Sequence, residues 1–334
     1  MSSPTSPPTP PPTPPTFDAV LLISFGGPQG PDDIRPFLAN VLRGRRVPPE
    51  RAEEVAHHYE LFGGVSPITE ITRRQAAGLA SRLVSAGHAL PVYVGMRNWK
   101  PWIADVRAQM ERDGVTHAIT ICLAPQNSRT SVGLYRKALL GESGAPFDVD
   151  FVESWHDQPQ LIAAFAERLK AALARAEKEH GAEPAVIFTA HSVPERTILD
   201  GDPYSAQAKH TAELVAQAAG LMDGAWWFAF QSQGMSGGPW LGPTVEDTIT
   251  GLKELGHASV LLQPIGFVCD HVEVLYDIDI AFRKFAEEQG VKLWRAESLN
   301  DSPTFIRALA DVVRERMPAA AKNRAGESPA PTPK

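Results

Sequence analysis

Only two of the 334 residues are cysteine, Cys122 and Cys269. Both lie in or beside apolar runs, so buried free thiols are expected, not a disulfide. Two thiols in one chain also cannot build a four-thiolate iron–sulfur cluster. An excess of basic charge is missing too. The formal net charge of -7 argues against a nucleic-acid partner. No apolar run approaches the ~20 residues needed to cross a bilayer. Met1 to Thr16 has neither a basic start nor an apolar core, so it is no secretory signal. Its prolines predict an extended, disordered tail over 1–16, and 318–334 reads as a second one. A soluble, cytoplasmic protein is the default expectation. Two catalytic signatures are absent as well. The glycines of SFGGP (Ser24 to Pro28) fit neither GxGxxG nor GxxxxGK[ST], which leaves a nucleotide site unsupported. Ser192 and Ser232 lie in no GxSxG, and no Ser–His–acid order is apparent, so a hydrolase is disfavoured.

What the chain does have is a repeated unit. Short, continuous apolar runs end in polar loops, and amphipathic segments follow. Ala19 to Phe25, Pro91 to Met96 and His117 to Leu123 read as buried parallel strands, and Phe147 to Phe151 as a fourth that restarts the pattern. Ala185 to Thr189, Ala225 to Gln231, Ser259 to Ile265 and Val291 to Arg295 complete the set. Pro159 to about His180 is a long amphipathic helix. Asp32 or Asp33 is expected to cap a helix reaching Leu42. Ser302 is expected to cap the last helix, with Pro303 in its first turn. This is the βαβ pattern of an α/β protein with parallel sheets. Two doubly wound domains are expected, over 17–150 and 151–317, with a cleft between them. The final helix is free to pack back on the first domain. Ligands in such sheets sit outside the carboxyl ends of the strands.

Three strand ends in the second half carry polar groups: His191-Ser192, Gln231-Ser232, and Asp270-His271 with Glu273. The third follows Gly266, which ends an apolar run. The next residues have helical spacing, and Val272, Leu275, Tyr276 and Ile280 are expected to form one apolar face. Glu273 and Asp277 sit four apart, so their carboxylates leave one helical face. Imidazole opposite carboxylate suits a divalent metal of intermediate hardness, or proton transfer near neutral pH. Arg43-Gly44-Arg45-Arg46 is a basic loop able to hold a carboxylate.

These strand ends carry a resemblance to the ferrochelatases, the enzymes that insert ferrous iron into a porphyrin. It covers Phe17 to Met317. The matching pieces are SFGGP, FGGVSPI (Phe62 to Ile68), ERDG (Glu111 to Gly114), HSVP (His191 to Pro194) and PWLGPT (Pro239 to Thr244). PIGFVCDHVEVLYDIDI (Pro264 to Ile280) and RAESLND (Arg295 to Asp301) complete them. HSVP followed by DHVEVLYDID is the specific combination. The resemblance implies two Rossmann-like domains around a porphyrin cleft.

It also implies roles. His191 and Glu273 would lie on the metal side of the porphyrin. His191 would capture the ion and accept pyrrole protons, and Glu273 would hold the ion or assist deprotonation, with the two roles open to exchange. Asp277 would relay protons or ions, while Asp270 and His271 orient the site. Phe25 stands where relatives carry Tyr or Met. It cannot ligate iron, so stacking on the ring is its expected role. Arg97, Asn98, Tyr59, Ser66, Trp240 and the Arg43/Arg45 loop match porphyrin-contacting regions, Arg43 and Arg45 as propionate partners. Leu42 replaces an arginine of some relatives. Arg129 stands where cluster-bearing relatives have a cysteine, so no [2Fe–2S] cluster and no resident cofactor are expected, with Fe2+ as substrate. The charged stretch Arg35 to Glu50 replaces an apolar membrane lip, which favours a soluble monomer. Coproporphyrin III is the favoured substrate. Protoporphyrin IX, a cobalt or nickel chelatase, and a non-catalytic porphyrin or haem carrier are the alternatives.

Overall fold

A computed structural model describes residues 16–44, 47–181, 183–233 and 238–318. Among them, eight apolar runs become strands: β1 (Ala19–Ser24), β2 (Val92–Met96), β3 (His117–Cys122), β4 (Asp148–Val152), β5 (Ala185–His191), β6 (Trp226–Gln231), β7 (Ser259–Pro264) and β8 (Lys292–Arg295). The intervening helices are α1 (Ile34–Val41), α2 (Pro49–Glu60), α3 (Ile68–Ser85), α4 (Ile103–Arg112), α5 (Val132–Leu140), α6 (Pro159–His180), α7 (Glu195–Leu199), α8 (Tyr204–Ala219), α9 (Val245–Glu254), α10 (Arg283–Glu288) and α11 (Pro303–Arg316). A π-helix, Val274–Phe282, precedes α10.

The strands form two parallel sheets, ordered β2-β1-β3-β4 and β6-β5-β7-β8. Every residue of β1 and of β7 is buried, as strands covered by helices on both faces must be. Strand order reverses at β1 and again at β5, so each sheet has a switch point where its carboxyl ends diverge. One continuous apolar cluster joins the sheets. It runs from Val20 and Leu22 of β1 through α3, α6, α8 and α11 to Phe188 of β5 and Leu261 of β7. Full burial of side chains such as Phe165, Phe188 and Phe305 contributes roughly 1.5–3 kcal/mol each. The last helix, α11, packs against both α3 and α6, joining the two halves. No helix among the described residues is long and apolar enough to cross a membrane.

Several local expectations need correction. The boundary drawn at 150/151 falls inside β4, and β4 pairs with β3 in the first sheet. The chain therefore leaves that sheet only after Val152, because a half-apolar edge strand is completed by its neighbour and not by its own pattern. Asp33 does not cap α1. Its carboxylate instead accepts from the Gln29 backbone N–H and the Trp99 indole N–H. Ser302 sits at the N-cap of α11 without a side-chain bond there. Helices α5 and α7 were not anticipated. Both are short, and α7 carries one buried side chain, Thr197, too few for a periodic signal. The expected tails lie outside the described residues apart from their inner ends.

Candidate active site

Strand β5 runs two residues further than its apolar pattern implies and ends on His191 itself, opposite Gln231 of β6. Burial of Ala185 to Ala190 anchors the strand, so the half-buried imidazole is delivered at the carboxyl edge. Its Nδ1 lies 2.5 Å from the Ser192 carbonyl oxygen. A carbonyl only accepts, so Nδ1 carries a hydrogen and Nε2 is the ring nitrogen left for other partners. The Tyr204 hydroxyl hydrogen-bonds the His191 backbone from beneath. Gly266, where β7 ends, lets that strand's exit pass close by. A Cβ there would come within 3.2 Å of Ala190. Ser192 is fully buried, and its hydroxyl donates to the Leu241 carbonyl, so it is no nucleophile.

The opposing carboxylates come from the π-helix and its entry. Val274, Ile278 and Phe282 form its buried stripe, not Val272, Leu275, Tyr276 and Ile280 as the α-helical spacing predicts. Val272 is buried, but Leu275 and Tyr276 are only half-buried, and Ile280 keeps 39% of its surface exposed. The wider turn, closed by i→i+5 bonds such as Arg283 N–H to Ile278 O, aligns residues four and eight apart. Glu273 and Asp277 share the same spacing and so stay one above the other.

Their surroundings push the two carboxyls in opposite directions. Burial alone raises Glu273. Close contact with His271 and the positive fields of His191 and His271 outweigh it, holding the carboxyl at about 2. His271 donates Nδ1–H to the Cys269 carbonyl, 3.1 Å away, which turns its Nε2 toward Glu273 Oε2 at 3.6 Å. Asp277 is pushed up to about 6, first by burial and then by the Glu273 charge. The Ser232 hydroxyl and the two imidazoles only partly offset that rise. Ser232 donates to Asp277 in a very short bond. It does so from the left-handed region, φ 61°, a strained backbone for serine.

A pH signature follows. Between the ordinary value of 3.8 and about 6, folded Asp277 keeps a proton that the unfolded chain has released. Stability is therefore lost as pH rises through that window, with the full cost present above about 6. Asp277→Asn is expected to raise the melting temperature relative to wild type more at pH 7.5 than at pH 4. Equal differences at both pH values would remove this assignment.

Asp270 is held in a network of its own. Burial favours its neutral form, but Asn300, Arg295 and Ser298 together lower its pKa. Asn300 Nδ2 donates at 2.9 Å, Ser298 Oγ at 2.7 Å and Arg295 at 3.1 Å. Arg295 also grips Asp279 with two parallel bonds of 2.8 and 2.9 Å. This guanidinium thus pins the entry of the π-helix to its middle. Arg295, Ser298 and Asn300 lie within RAESLND, which signals family membership without revealing that role.

The first sheet supplies the facing wall. Phe25 follows β1 and packs edge-on to Phe37 and against a small cluster that contains Cys269 of the second half. The Asn98 backbone N–H donates to the Phe25 carbonyl at 3.0 Å and its side chain points at the same oxygen, so buried Asn98 positions Phe25. Arg97 bonds Ser24 through its backbone and stacks its guanidinium over Tyr135, 5.7 Å from the ring centre. Tyr59 is buried against Phe37, within the field of Glu273 and Asp277, which together with burial raise its pKa. Ser66 is buried under Gly27, where a Cβ would come within 2.4 Å of Ser66 Cβ. That contact is the physical link between SFGGP and FGGVSPI. Arg43 is exposed and donates to Asn40 at 2.6 Å, and Arg45 lies outside the described residues. Trp240 is half-buried and bridges to Pro194 beside His191. The structure therefore gathers His191, Glu273, Asp277, His271 and Tyr59 at one place. It leaves Arg43 at the surface and Asp270 in a network of its own.

Two doubly wound parallel sheets, the second with imidazole and carboxylate groups gathered at its carboxyl edge, form the fold that solved chelatases have. The sirohydrochlorin chelatase SirB of Bacillus subtilis subspecies spizizenii, in complex with cobalt, matches with a TM-score of 0.53 at 10% identity, covering 90% of this chain and 95% of its own. The siroheme-biosynthesis enzyme CbiX matches with a TM-score of 0.51 at 14% identity, covering 90% and 100%. At these identities the likeness concerns fold alone. The family itself comes from sequence. The Ferrochelatase family model matches residues 17–317. A ferrochelatase of Acidobacterium capsulatum is 50% identical over 94% of this chain and 98% of its own. A coproporphyrin III ferrochelatase of Mycobacteroides abscessus is 40% identical over 90% and 88%. The chain belongs to the ferrochelatase family, the metal chelatases that insert iron into a porphyrin.

Proposed function

We propose that this chelatase takes coproporphyrin III and Fe2+ as substrates, with His191 and Glu273 handling the metal and Asp277 relaying protons. The observation that carries the reading is the placement of Glu273 and Asp277 one turn apart beside His191, in surroundings that hold Glu273 at about 2 and raise Asp277 to about 6. Two carboxyls whose environments drive their pKa values apart divide the labour of ion and proton. Glu273, ionised at neutral pH, suits the incoming cation. His191 accepts a pyrrole proton as the metal enters, and Asp277, titrating near 6, passes it toward solvent. Phe25 and Trp240 stack on or edge the macrocycle, Arg97 faces it, and Asn98 acts through Phe25. Arg43 and Arg45 serve as partners for the propionates.

Coproporphyrin III is preferred because relatives that match most of this chain carry that name. On this reading the protein holds no resident cofactor, its iron being substrate. It works as a cytoplasmic monomer without nucleic acid. Anaerobic Fe2+ insertion followed by absorbance, with coproporphyrin III and protoporphyrin IX side by side, tests it. Faster turnover of coproporphyrin III is expected. Faster turnover of protoporphyrin IX would overturn the substrate choice, and stoichiometric binding without turnover would mark a carrier.

A further inference from the structure

Away from this cleft, the segment that leaves β4 and enters α6 brings His156 and Asp157 against His210 of α8. One ligand atom from each of the three lies within 4.8 Å of the other two. The hydrogen bonds around His156 define its tautomer. Ser154 Oγ has one proton, and its acceptors are Gln207 Oε1 at 2.9 Å and the Pro125 carbonyl at 3.2 Å. That hydroxyl therefore accepts from His156 Nδ1 at 2.8 Å. His156 Nε2 is left with a lone pair, and it points at His210 Nδ1, 3.3 Å away. This spacing is long for an N–H hydrogen bond, whose usual length is about 2.9–3.0 Å. It equals the edge of a tetrahedron around a metal bound at about 2.0–2.1 Å, which is about 3.3–3.4 Å.

We propose that His156, His210 and Asp157 form a second metal site, for a divalent ion of the zinc class, distinct from the substrate-iron site. Two imidazoles and one carboxylate suit Zn2+ and its first-row neighbours and are poor ligands for Mg2+ or Ca2+. His156 would bind through Nε2 while Ser154 and Gln207 orient its ring from behind, the usual support for a ligating imidazole. The Thr211 hydroxyl, which donates at 2.9 Å to the His156 carbonyl, holds the loop on α8. Asp157 and His210 are exposed, so an ion enters from solvent and water completes its shell. Such an ion would fasten the strap between the two sheets to α8. It would act as a structural tie, not as a reactant.

The test uses the tag-free full chain with His191→Ala and Glu273→Ala, which removes the substrate-metal ligands. Zn2+ alone is titrated by calorimetry, and the melting temperature is read with and without it. One equivalent bound per chain and a raised melting temperature are expected. Adding His210→Ala should abolish both effects while leaving the metal-free melting temperature unchanged. No zinc bound in the double variant would overturn the proposal. So would the same stoichiometry and melting shift with or without His210.

Discussion

Replacing His191 by alanine is expected to lower Fe2+ insertion by about 10²- to 10⁴-fold, the range for losing a positioned proton acceptor. The cause is local. Ser192 O holds the ring by Nδ1, so Nε2 is the one nitrogen able to meet metal or pyrrole proton. Alanine removes both without disturbing β5, whose anchoring side chains lie deeper in the sheet. Porphyrin affinity, measured by quenching of porphyrin fluorescence, should change little. Glu273→Gln should reduce insertion comparably, since the amide keeps shape but not charge. A His191→Ala enzyme that keeps wild-type turnover would sink the assignment of metal and proton handling to this edge. Unchanged porphyrin binding in both proteins, with neither showing turnover, would leave only the carrier.

The second large effect concerns stability. Arg295→Met should destabilise the fold by about 3–5 kcal/mol, the usual consequence of removing one member of a buried ionic network. Only 13% of the Arg295 side chain is exposed, and it satisfies two carboxylates, Asp270 and Asp279. Methionine fills much of the volume but leaves both partners buried with a missing cation. Asp270 would keep Asn300 and Ser298, whereas Asp279 would lose its bidentate partner. Urea denaturation monitored by tryptophan fluorescence measures the change. A loss under about 1 kcal/mol would place this pair among solvent-screened surface bridges. Restoring the salt bridge with Arg295→Lys should recover only part of the loss, because an ammonium cannot make the two parallel bonds.

The layered architecture was legible because each central strand is a continuous apolar run, which only burial on both faces explains. AVLLIS and SVLLQP show it plainly. Edge strand β4 was misassigned between the two halves because its own pattern, half-buried at most positions, does not say which neighbour completes it. His191, Glu273 and Asp277 were legible as polar residues at a strand end and a helix beginning, and the family motifs gave them roles. Their contacts were not. Ser232 stands out in sequence as part of a polar strand end, but its bond to Asp277 exists only once the fold brings the two together. Tyr59 is named by the resemblance as a porphyrin contact, but its burial near the same carboxylates is set only by the packing of α2.

The residues themselves determined the class of sheet, the number of strand–helix units, the shortage of thiols and the presence of a His/Glu chemistry. All of these are properties of composition and local period. Tertiary structure decided which imidazole nitrogen is free, why Glu273 and Asp277 diverge, and that the DHVEVLYDIDI segment widens into a π-helix. It also decided that His156 meets His210. Each of these depends on groups far apart in the chain meeting at hydrogen-bond distance, or on backbone packing against another element, and local patterns carry neither.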